Sequence, residues 1–94
     1  MQSASWTLRE QVRFDRDQIT SAGWDGYPIF RFTDIPEVMV RVMDAPGEAE
    51  VGAGEVCLGP VAGAIGNAVA DAVGVRVRDL PLTRVRIARA IEES

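Results

Sequence analysis

Between Pro60 and Gly74 the chain has little choice but to be a helix. Val61, Ile65, Ala68 or Val69, and Ala72 recur at steps of three and four residues and lay an apolar stripe along one side. Proline suits the first helical position, and a glycine just past the last turn suits a left-handed cap. Val75 then stands where it folds back onto the helix. Gly63 and Gly66 lie inside, each costing up to about 1 kcal/mol relative to alanine. Glycines kept there at that cost point to close approach by a neighbouring backbone or a ligand. Asp79-Leu80-Pro81-Leu82 turns the chain, and a second helix is predicted from an N-cap at Thr83 through Glu92. Its inward positions are expected at Val85, Ala88 and Ile91 or Ala90.

The first half carries strand and turn signals instead. Ser5 to Leu8 is compatible with the end of a helix or the start of a strand. Gln11–Phe14 and Gln18–Thr20 flank the polar turn Asp15-Arg16-Asp17, the pattern of a hairpin. Ser21 to Pro28 reads as an ordered loop in which Trp24 and Tyr27 lid the core. From Glu37 to Asp44, Val38, Val40 and Val42 alternate with Met39, Arg41 and Met43. The valines are expected to face the core, and the methionines to be half-exposed or to meet another chain. Val75-Arg76-Val77-Arg78 alternates in the same way. Strands followed by helices predict an α+β fold: a small, mostly antiparallel sheet of three or four strands packed by two C-terminal helices, at about 60–73 and 83–92. Residues 1–94 are expected to form a single domain.

Charge and residue inventory narrow the chemistry. The net charge is −4 and the pI about 4.7, the wrong sign for a nucleic-acid surface. All ten basic residues are arginine, which tracks the base composition of a gene more simply than it tracks a function. With no histidine and one cysteine, Cys57, a zinc site has almost no candidate ligands and an intrachain disulfide is impossible. Nucleophiles that depend on histidine are excluded with it. Acid–base work is left to a carboxylate, a tyrosine or the cysteine. No apolar run reaches the roughly 20 residues that span a bilayer, and the expected location is cytoplasmic.

One constellation carries candidate chemistry: Gly52-Ala53-Gly54-Glu55, then Val56-Cys57-Leu58, then Gly59-Pro60 and the small-residue helix. Two glycines free a backbone to pass something flat, and they deliver a carboxylate just ahead of a helix N-terminus. Spacing of this kind is common in turns. Cys57 is expected to be a small buried apolar residue.

The sequence around that loop is distinctive. The stretch 59–83, from Gly59-Pro60-Val61 to Asp79-Leu80-Pro81-Leu82-Thr83, resembles the C-terminal end of the molybdenum-binding subunit of the xanthine dehydrogenase/aldehyde oxidase family. Ser5-Trp6-Thr7-Leu8-Arg9-Glu10-Gln11-Val12 is similar to that family's W-x-L-x-E-x-V segment, Ile35-Pro36-Glu37-Val38 to its x-P-E-[IV] strand, and Gly52–Glu55 to its G-x-G-E loop. Trp24-Asp25-Gly26-Tyr27-Pro28-Ile29 looks most like the branch related to isoquinoline and nicotinate oxidoreductases.

The resemblance implies that Glu55 is the general base for hydroxylation of N-heterocycles or aldehydes, and that Gly52, Ala53 and Gly54 lie along a molybdenum–molybdopterin cofactor in its dinucleotide form. It implies that the rest of the large subunit and an iron–sulfur subunit are partners, with a periplasmic complex as the alternative location. Where the family often carries lysine before the first glycine and Pro-Pro after the glutamate, this chain has Val51 and Val56-Cys57. The expectation is therefore a C-terminal piece of a larger subunit, with no metal ligand of its own, without cofactor or activity alone, and prone to pair as a homodimer. No deep pocket is expected in it. A stand-alone, non-catalytic interaction domain is the alternative.

Overall fold

The computed structural model describes all 94 residues. In chain order the elements are α1 (Gln2–Leu8), a single turn α2 (Gly23–Gly26), a 3-10 turn at Phe32–Asp34, α3 (Leu58–Val73) and α4 (Arg84–Glu92).

The long helix forms where its signals place it. α3 starts two residues before Pro60, which therefore sits in the first turn, where its missing N–H has no intrahelical acceptor to lose. It ends at Gly74, whose φ of 74° is left-handed and whose N–H donates to the Ala70 carbonyl at 2.9 Å. The half-buried stripe runs through Val61, Ala62, Ile65, Gly66, Val69, Ala70 and Val73, while Ala68 and Ala72 face solvent. No heavy atom lies within 4 Å of where a Cβ on Gly63 or Gly66 would stand, so no close neighbour within this chain accounts for either glycine.

α4 begins at its predicted cap. The Thr83 hydroxyl accepts the Arg86 N–H at 3.3 Å, and Arg89 pairs with Glu93 one turn on at 2.6 Å. That pairing raises the Arg89 pKa. The half-buried positions are Arg86, Ile87 and Ala90; of the expected inward residues Ala90 faces inward, while Val85, Ala88 and Ile91 are exposed. The reason is Arg86, whose guanidinium turns back to donate to the Leu80 and Pro81 carbonyls across the cis Leu80–Pro81 bond.

α1 packs on α3, the principal element-to-element contact of the molecule. Its buried residues are polar: Ser3, Ser5 and Thr7. Each is placed by a directional bond. Thr7 donates its hydroxyl to the Ser3 carbonyl at 2.7 Å, Ser5 accepts the Phe30 N–H at 3.0 Å, and the Thr7 carbonyl accepts the Leu82 N–H at 2.6 Å. Leu82, 3% exposed, and Pro81 are the only buried apolar residues.

The predicted α+β architecture, with its small mostly antiparallel sheet, is not formed. Pairing is limited to an isolated antiparallel bridge between Phe14 and Ile19. The turn between them is as expected, closed by the Asp15 carboxylate, which accepts the N–H groups of Asp17 and Gln18 at 2.9 Å. Those two bonds lower the Asp15 pKa. The sheet fails because the strand-like segments find no partner. Glu37–Asp44 makes no hydrogen bond within the chain, and its valines face solvent, with Val40 81% and Val42 88% exposed. Trp24 does not lid a core either, being 76% exposed.

The result is an extended body. The radius of gyration is 16.6 Å, where a compact chain of this length has about 12 Å. The accessible surface is 8179 Å², where a compact monomer of this mass exposes about 5,300 Å².

The caps provide a direct check. Gly74→Ala forces a Cβ into a left-handed conformation, and Thr83→Ala removes a cap; each is expected to destabilise the fold by about 1 kcal/mol. Urea unfolding followed by circular dichroism measures both.

Candidate functional site

The Gly52–Glu55 loop lies on the surface immediately before α3, and all four of its residues are exposed. The Glu55 carbonyl accepts the Leu58 N–H at 3.2 Å, which turns the chain into the helix. Its carboxylate takes part in no hydrogen bond or ion pair. Gly52 and Gly54 have negative or extended φ, and a Cβ on either would meet nothing within 4 Å. The fold of this chain does not require glycine at either place. Cys57, expected to be buried, is exposed at the N-cap of α3.

A cofactor held by this chain alone has no cradle. No three acidic, cysteine or histidine side chains gather to hold a metal, and no buried polar side-chain atom lacks a partner. The donor set of this chain does not fit a complete molybdenum site.

The structure also forms a concavity the sequence did not announce. An open cleft of about 750 Å³ lies beside α1, walled by Trp6, Trp24, Tyr27, Ile29, Phe30 and Phe32 among others. No residue of the Gly52–Glu55 loop lines it, so cleft and loop are separate places on the surface. Among its lining residues the Tyr27 hydroxyl donates to the Glu10 carboxylate at 2.8 Å. Arg9 pairs with Asp34 and lies 5.7 Å from the centre of the Phe30 ring. At Gly26 a Cβ would come within 3.2 Å of the Ser21 backbone, a tight approach that glycine avoids. Nothing in the sequence pointed to the Glu10–Tyr27 pair, whose members are 17 positions apart.

The Tyr27 hydroxyl has its pKa raised above 10.0, first by the hydrogen bond to Glu10 and then by desolvation and the glutamate charge. A raised folded-state pKa contributes stability that is whole below the unfolded value and is lost as pH climbs through the folded one. The stability difference between the native chain and Tyr27→Phe is therefore expected to be flat below pH 10 and to shrink above it. Urea titrations across that range read it out.

With this geometry in view, the chain proves similar over nearly its whole length to parts of two oxidoreductases. It is 41% identical over 91 residues to a nicotinate dehydrogenase subunit of Pseudomonas putida, a match covering 97% of this chain and 8% of the relative. It is 29% identical over 82 residues to the beta subunit of isoquinoline 1-oxidoreductase from Brevundimonas diminuta, covering 87% of this chain and 10% of the relative. The chain thus spans about a tenth or less of the length of these curated relatives. No family model matches it. No helix is long and apolar enough to cross a membrane.

Proposed function

We propose that this chain is the C-terminal part of the large subunit of a molybdenum hydroxylase of the xanthine dehydrogenase/aldehyde oxidase type. In the intact enzyme Glu55 serves as general base for the hydroxylation of an N-heterocycle or an aldehyde. The observation that carries this is the 41% identity to the nicotinate dehydrogenase subunit across 97% of the chain. The surface supports it independently. A chain that leaves 8179 Å² accessible exceeds the compact value by about 2,900 Å², more than three times the roughly 800 Å² one partner contributes to a standard interface. Such a surplus belongs to a piece that packs against a larger body.

Within that enzyme the proposed division of labour is as follows. The rest of the large subunit supplies the cradle for molybdenum and pterin, and an iron–sulfur subunit takes the electrons. This chain brings the carboxylate. Glu55 is exposed, unpaired and carried on a loop anchored to α3, so it accepts the proton given up by the oxygen nucleophile that attacks the ring or carbonyl carbon. Gly52, Ala53 and Gly54 would lie along the pterin, with open space where a Cβ on either glycine would stand. The N-heterocycle class is favoured because both relatives carry such compounds in their names.

In the intact enzyme Glu55→Gln is expected to lower turnover by about 10²–10⁴-fold while molybdenum and pterin content stay unchanged, since glutamine keeps the shape and loses the base. Steady-state assay beside metal analysis tests it, and a near-normal rate would assign the proton to another group. The isolated chain is expected to retain no molybdenum, which the same metal analysis reads.

A further inference from the structure

We draw no further inference here: the strongest candidate, the open aromatic cleft beside α1 with Trp6, Trp24, Tyr27, Phe30 and the Glu10 carboxylate among its lining residues, is an unpartnered apolar face on a chain that spans about a tenth or less of its relatives, and nothing in the structure shows what covers it.

Discussion

The fold turns on the seven residues of α1 and on the hydroxyls they bury. Isolated helices need about 12–15 residues to hold in water, so α1 exists only because α3 supports it and the loops clasp it. The clasps are directional. Ser5 receives Phe30, the Thr7 carbonyl receives Leu82, and just past the helix Glu10 receives Tyr27 and Arg9 holds Asp34, which brings two distant stretches, 27–34 and the turn at Leu82, to one short helix and its C-terminal end. An apolar helix face would tolerate sliding by a residue. Here sliding would strand a buried donor or acceptor, at about 1–3 kcal/mol each. Order is obtained by bond geometry where apolar burial is thin, since Pro81 and Leu82 are the only buried apolar residues.

That balance explains the exposed remainder. A chain of this length that closed on itself would place Val38, Val40, Val42, Phe32 and Trp24 inside; instead each faces solvent. Their identities suit a wall packed by other layers, and relatives about ten times longer provide the setting in which such layers occur. The cleft beside α1 and the open side of the Gly52–Glu55 loop belong to the same picture, being surfaces with space on them and no internal claim to it.

What was legible in the sequence was local. The extent of α3, the left-handed Gly74, the Thr83 cap and the Asp15 turn depend on residues within a few positions of one another, and all four formed. The sheet did not, because alternation specifies a strand's faces but not the strand that pairs with it. Val38–Val42 kept its period and found no neighbour. On α4 the inward place of Ala90 was legible, whereas Val85 gave way to Arg86, whose guanidinium satisfies the carbonyls of the preceding turn. The position of Glu55 ahead of a helix was legible from glycine spacing, whereas its proposed role rests on the resemblance of the surrounding motifs. The Glu10–Tyr27 pair and the aromatic cleft join distant positions through the docking of α1, and no window along the chain displays them.

The long connection from Pro36 to Cys57 joins two halves that are held together elsewhere. Its hydrogen bonds are a turn at Ala45–Glu48 and the entry into α3, and the residues from Glu37 to Asp44 have none. A protease that cut between Glu37 and Asp44 would sever the covalent link without breaking a hydrogen bond of the fold. The seat of α1 on α3 and the bond from Leu82 to Thr7 would still join residues 1–36 to residues 58–94. The chain is, in effect, a noncovalent complex of two short pieces with a tether between them, and the tether adds local concentration where the contacts add shape.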